Sequence, residues 1–152
     1  MKISHAPEGY SCPFCRIVAG EGSERTLPEH VVRRYERVTV FMNPRWWEVN
    51  RGNVLVVPNQ HFENLYELPT EYGTPIHEAQ RDAAVAMKLA YECDGVSTRQ
   101  HNEPAGNQEV WHYHLHVFPR WEGDNLYKAK SYWAPADELM ELTERLTDFW
   151  PG

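Results

Sequence analysis

The sequence is short of cysteine, of positive charge and of long apolar runs, and each shortage removes a class of protein. Three cysteines in 152 residues are an odd number, which argues against a disulfide framework. The formal net charge is −7. A phosphate backbone recruits a basic stripe, so a broad surface for extended nucleic acid is excluded, although a local cluster of donors can still hold a small anion. No apolar run approaches the roughly 20 residues of a membrane span, so no membrane partner is expected. Residues 1–11 lack the apolar stretch of a signal peptide, and the expected location is cytoplasmic. No internal repeat, low-complexity tract or compositional break marks a second domain. Residues 1–152 are expected to form one domain, long enough to bury its own core without extra staples.

Along the chain, residues 1–11 read as a loose polar arm. Cys12-Pro-Phe-Cys15 runs into Ile17, Val18 and Ala19 as a short helix or turn, and residues 21–30 read as loop. Glu36 to Met42 alternates partly and reads as a strand, ended by Pro44. Trp46-Trp47 and Asn50-Arg51-Gly52 read as an irregular connection, the tryptophans either packing in the core or stacking on a ligand. Val54 to Val57 is a β-branched apolar run, a buried strand closed by Pro58. Thr74-Pro75 is a helix start, with Thr as N-cap and Pro at the first position. Ile76, Ala79, Ala83, Ala86, Met87 and Ala90 line one side of that helix, and Gly95 stops it. Val96 to Gln100 is a strand, 101–107 a loop, and Val110 to Phe118 the strongest strand, ended by Pro119. A last helix spans Pro135 to Thr147, with Leu139, Leu142 and Leu146 on one face, within a C-terminal segment from 123 to 152. The strands at 36–42 and 54–57 are too close for a helical crossover, which favours an antiparallel α+β sheet.

Chemistry concentrates in Trp111-His112-Tyr113-His114-Leu115-His116-Val117-Phe118. Alternate side chains of a strand point to opposite faces. The three histidines therefore share one face at spacings of about 7 Å, while Trp111, Tyr113, Leu115 and Val117 share the core face. Imidazole serves as nucleophile, as acid–base group near neutrality, or as metal ligand. Residues at i, i+2 and i+4 span about 13 Å, too far for all three to reach one ion at about 2.1 Å. A division of labour suits the row better: one nucleophile, one neighbour that orients it, and one donor to a charged group. Cys12-Pro-Phe-Cys15 has the spacing of half a zinc site, of a redox pair, or of two unrelated thiols, though no strand precedes it to set up a thioredoxin-like fold. Cys93, in a helical stretch, reads as a packing residue. His5, His30 and His77 read as solvated, and His101 points either at the histidine row or away from it.

At these residues the chain resembles the histidine triad family of nucleotide hydrolases and transferases, whose signature alternates histidine with apolar residues. Here it reads His112-Tyr-His114-Leu-His116-Val-Phe. The similarity extends to Cys12 and Cys15, to Val54-Leu-Val-Val-Pro58 followed by His61, and to Asn102 and Gln108, covering roughly residues 12 to 122. The resemblance implies a five-stranded antiparallel sheet with helices, paired as a homodimer. It implies that His114 attacks the α-phosphorus of a nucleotide to form a nucleotidyl-histidine, which water or another acceptor resolves. It gives His116 a nonbridging oxygen, Gln108 the leaving or attacking oxygen, and Asn102 a share in holding the nucleotide. Asn43 falls near the family's ribose-binding aspartate, but the following Arg45-Trp46-Trp47 segment is about two residues longer than the common pattern. Asn107 stands where a glycine commonly precedes the Gln; asparagine tolerates the left-handed backbone such a turn uses. The resemblance also implies a structural zinc on Cys12, Cys15, His61 and His112, with His112 belonging to both sets. The activity so implied is that of a nucleotide hydrolase or nucleotidyl transferase acting on a phosphoramidate, a dinucleoside polyphosphate or a sugar nucleotide. The rivals are a dinucleoside polyphosphate phosphorylase and a nucleotide- or partner-binding protein with weak activity.

Overall fold

In the computed structural model, which describes residues 1–126 and 128–152, five strands form one antiparallel sheet. They are β1 (Val31–Arg34), β2 (Val38–Met42), β4 (Val54–Pro58), β5 (Gly95–Gln100) and β6 (Leu115–Arg120), in the order β1-β2-β4-β6-β5. A separate antiparallel pair joins β3 (Arg45–Trp47) to β7 (Ser131–Trp133). Three helices complete the fold: α1 (Pro13–Val18), α2 (Gly73–Tyr91) and α3 (Ala136–Asp148). No helix among the described residues is long and apolar enough to cross a membrane.

Strand alternation divides the sheet into two unequal faces. Val38, Val40, Met42, Val54, Val56, Leu115 and Val117 point toward α2 and α3 and form the main core with Ala79, Ala83, Met87, Leu139 and Leu146. Phe41, Leu55 and Val57 point the other way and are buried against Cys12, Phe14 and Ile17 of the short α1 region, which covers only part of this face. The second face is therefore left open beyond α1, and it carries the functional cleft.

Several local expectations change. The stretch expected as a continuous strand from Val110 pairs only from Leu115, because the ladder with β4 begins at Val56↔Leu115 and that with β5 at Gln100↔Leu115. The strand then runs through Pro119, past Val117 where pairing with β4 ends, a place where a missing amide hydrogen is tolerated. Tyr113 keeps the alternation and enters the core, but Trp111 is half-exposed and lies against His5 instead. Helix α2 starts at Gly73, running on from a 3-10 turn at Thr70–Tyr72. Pro75 still falls in the first turn, where amides lack intrahelical partners. The helix ends at Tyr91 through Glu92 in the left-handed region (φ 53°), and Gly95 opens β5 instead of capping α2. Trp46-Trp47 is strand, not irregular connection. Val31–Arg34 is an edge strand. His30 is buried, its Nδ1 accepting the Leu27 amide at 3.0 Å, and is not solvated. The arm is tied down too: Glu63 accepts from the Ser4 hydroxyl and from the amides of His5 and Ala6, and His5 pairs with Glu103.

Asp124 anchors the turn after β6. Its carboxylate takes two bonds from Arg120 (2.7 and 2.9 Å), one from Asn50 (2.7 Å) and one from the Trp121 amide (3.0 Å) while buried. The Arg120 pair, with Asn50 and the amides, holds this carboxyl well below its ordinary range. Asp124→Ala leaves those donors without an acceptor and is expected to cost about 3 kcal/mol, read from denaturant unfolding. Because the folded-state pKa is depressed, the stabilisation is present above about pH 4 and is lost as pH falls toward the folded value. The variant's stability curve should therefore be flatter than the wild type's over that acid range.

Candidate active site and metal centre

The three histidines lie where β6 and the residues before it cross the open face. His112 and His114 precede the ladder; His116 is within it, opposite Leu55 on β4 and Arg99 on β5. The rings of His114 and His116 stand 5.1 Å apart, closer than the backbone spacing suggests because they lean together, and Phe14 meets His114 edge-on at 5.1 Å. His114 is buried, and its Nδ1 lies 2.7 Å from the carbonyl of His112. A carbonyl only accepts, so Nδ1 carries the proton and Nε2 keeps the lone pair. Burial lowers the His114 pKa to about 4, against the pull of that bond, so the ring is neutral at pH 7. His116 is likewise held well below its ordinary value by burial and by His114, Arg99 and His101 around it.

A cleft of about 710 Å³ opens beside His114 and His116, within the size range of small-molecule sites. Phe14, Ile17 and Leu55 give it an apolar wall. Arg16, Arg25, Arg45 and Arg99 give it positive charge, set against Glu24 and Glu109. The overall charge of −7 thus hides a local cluster suited to phosphate. Arg99 lies over the rings of Phe118 (4.5 Å) and Trp47 (5.4 Å), while Arg25 and Arg45 lie over Trp133 at 4.1 and 4.8 Å. The β3–β7 pair is what brings Arg45, Trp47 and Trp133 to the rim. The two tryptophans divide: Trp46 is buried in the core and Trp47 faces the cleft.

Of the three residues singled out in the sequence for substrate contact, two lie outside the cleft and one lines it. Gln108 is buried, donating to the carbonyls of Glu63 (2.6 Å) and Val110 (3.0 Å) and accepting the Glu103 amide (2.9 Å). Asn102 accepts the Leu65 amide at 2.8 Å and exchanges bonds with the Gln100 side chain. Neither lines the cleft; both brace the loop that ends at the histidine row. Asn43 does line it, with its amide held by Asn53 (2.8 Å) and its oxygen by the Arg45 amide (3.0 Å). Asn107 adopts φ 68°, the left-handed turn that asparagine tolerates, and it faces the cleft together with His101.

Behind the row, Cys12, Cys15, His61 and His112 converge with all four ligand atoms within 4.8 Å of one another. Cys12 Sγ and Cys15 Sγ lie 3.3 and 3.6 Å from His112 Nδ1, Cys15 Sγ lies 3.3 Å from His61 Nδ1, and the two imidazole Nδ1 atoms are 3.1 Å apart. Donor atoms around a tetrahedral zinc stand about 3.3–3.8 Å from one another, so the quartet fits a metal ion. His112 Nε2 donates to the Pro58 carbonyl at 2.9 Å, the outer-shell bond a metal-bound imidazole uses, and this leaves the Nδ1 lone pair free for a metal ion. Burial lowers the His112 pKa to about 4, so the ring is neutral and ready to ligate.

A five-stranded sheet of this order with a histidine row on its open face is the fold of the histidine triad proteins. The family model for the HIT domain matches residues 24–123, and the chain belongs to the histidine triad family. It is 38% identical over 116 residues to an uncharacterised HIT-like protein of Methanocaldococcus jannaschii, covering 74% of this chain and 81% of that one. It is 29% identical to the adenosine 5'-monophosphoramidase HNT1 of Saccharomyces cerevisiae, covering 72% of this chain and 63% of that one. Among solved structures, a zinc-bound histidine triad protein of Mycobacterium smegmatis superposes with a TM-score of 0.75 at 27% identity, covering 91% of this chain and 92% of that one.

Proposed function

We propose that the chain is a nucleotide hydrolase or nucleotidyl transferase in which His114 attacks the α-phosphorus of a small nucleotide conjugate. The observation that carries this reading is the bond from His114 Nδ1 to the His112 carbonyl. It fixes the tautomer that leaves Nε2 nucleophilic, in a neutral ring lining a cationic cleft. Forming a nucleotidyl-histidine splits one hard displacement into two easier ones. His116 beside it offers a donor to a nonbridging oxygen as charge develops there. The apolar wall of Phe14, Ile17 and Leu55 takes the nucleoside, Asn43 lies at the ribose, and the arginines take the phosphates. Asn102 and Gln108 hold the loop in place.

Zinc on Cys12, Cys15, His61 and His112 belongs to the same reading, supported by the donor distances and by the zinc-bound relative. Its closed shell supplies structural free energy and anchors the segment that leads into His114. A homodimer completes it. The apolar stripe of α2 packs on its own sheet. The open edge of β5 and the exposed Val85 and Leu89 on α2 are the surface offered to the second copy. Light scattering should give twice the chain mass of 17.8 kDa; a single-chain mass at micromolar concentration would remove the dimer.

Incubation with an adenosine phosphoramidate, a dinucleoside polyphosphate and a sugar nucleotide, resolved by chromatography, tests the activity. Release of a nucleoside monophosphate from at least one is expected. A nucleoside diphosphate formed only with added inorganic phosphate would make the protein a phosphorylase. Binding with no product from any would contradict the proposal.

A further inference from the structure

Among the described residues lining the cleft, His101 is the one imidazole to which the reading above gives no role. It follows directly on β5, whose register with β6 runs Arg99↔His116 and Gln100↔Leu115. Continuing that register sets position 101 across from His114. Directly opposed residues in an antiparallel pair share a face, and so do residues two apart on one strand. Arg99 and His101 therefore lie on the face of His114 and His116. The ring of His101 is 5.8 Å from that of His116 at 70°, half-buried, and lines the cleft beside the histidine row.

The double displacement needs a proton that the row does not supply. His114 Nε2 must carry a lone pair in order to attack, and its Nδ1 proton is committed to a carbonyl. His116 is kept neutral by its surroundings. The cleft's other cations are arginines, which do not give up protons. A departing amine or alcohol nevertheless has to be protonated as its bond to phosphorus breaks.

We propose that His101 is the general acid for the leaving group, and so a further catalytic residue of this site. The step rests on the nucleotidyl-histidine reading above. In the first displacement the His114 Nε2–phosphorus bond forms and the phosphorus–nitrogen bond of a phosphoramidate breaks. That bond's electron pair stays on nitrogen, and the imidazolium of His101 donates its proton there, releasing a neutral amine. In the second, water attacks phosphorus, its proton returns to His101, and the His114–phosphorus bond breaks to leave nucleoside monophosphate. Protons and electron pairs balance, and His101 ends as it began. Imidazole is the side chain suited to this exchange near neutral pH.

The test compares two adenosine 5'-monophosphate conjugates that differ only in their need for a proton: an alkyl phosphoramidate, whose amine leaves only when protonated, and the 4-nitrophenyl ester, whose phenolate leaves without help. His101→Gln should slow the first displacement of the phosphoramidate by about 100-fold or more, in the range general acids contribute, and change the pre-steady-state burst of 4-nitrophenolate from the ester by less than about threefold. The ester rate also reports that the variant is folded and that His114 still works. Equal loss on both conjugates overturns the role of His101 and leaves the nucleophile reading standing. Failure of the wild type to turn over either conjugate overturns both.

Discussion

His114→Ala is expected to lower turnover of every nucleotide conjugate by about 10⁴-fold or more, the scale on which removal of a covalent nucleophile acts, while nucleotide affinity changes only a few-fold. The asymmetry follows from the cleft. Its apolar wall and four arginines belong to α1 and the loop after it, to β3, β4 and β5, so binding does not depend on the His114 ring. His116→Ala should cost less, about 10²–10³-fold, because it removes one donor to developing charge and leaves the attack itself intact. Steady-state rates with the 4-nitrophenyl ester, paired with calorimetric titration of nucleoside monophosphate, separate the two effects. Comparable rates for His114→Ala and wild type would end the assignment.

Loss of the metal centre should have the second largest effect, and on stability more than on binding. Elemental analysis of protein purified without added metal should find one zinc per chain. Cys12 stands immediately before α1 and its sulfur accepts the Cys15 amide, so the cluster ties the N-terminal segment to the loop after β4 and to the histidine row. Cys12→Ala, or chelation of the wild type, should cost several kcal/mol and lower Tm by about 10 °C or more. The chelator should have no further effect on the variant, which distinguishes metal loss from the small cavity left by the sulfur. No zinc, freely titratable Cys12 and Cys15 thiols and an unchanged Tm with chelator would contradict the site.

The histidine row and the cysteine pair were legible in the sequence because their chemistry is local: period-two spacing for one, two intervening residues for the other. The main-core strands and both long helices were legible from apolar periodicity. What escaped depends on contacts remote in sequence. Arg45-Trp46-Trp47 is too short to read as a strand until Ser131–Trp133 pairs with it, and without that pairing the cationic, aromatic rim has no visible cause. Asn102 and Gln108 carry the family's pattern, but only the structure places their amides against Leu65, Glu63 and Glu103. His101 was ambiguous because a loop residue's direction is set by strand register, here by β5 against β6. His30, isolated in a polar stretch, gave no sign of its burial.

The central claim is that phosphorus becomes bonded to His114. Acid-quenching the protein during turnover of a slow nucleotide conjugate, followed by peptide mass spectrometry, tests it most directly. The account predicts one nucleoside monophosphate adduct on the peptide spanning residues 112–116, localised to His114 and absent from His114→Ala. An adduct on His116, or turnover with no adduct at any quench time, would contradict it.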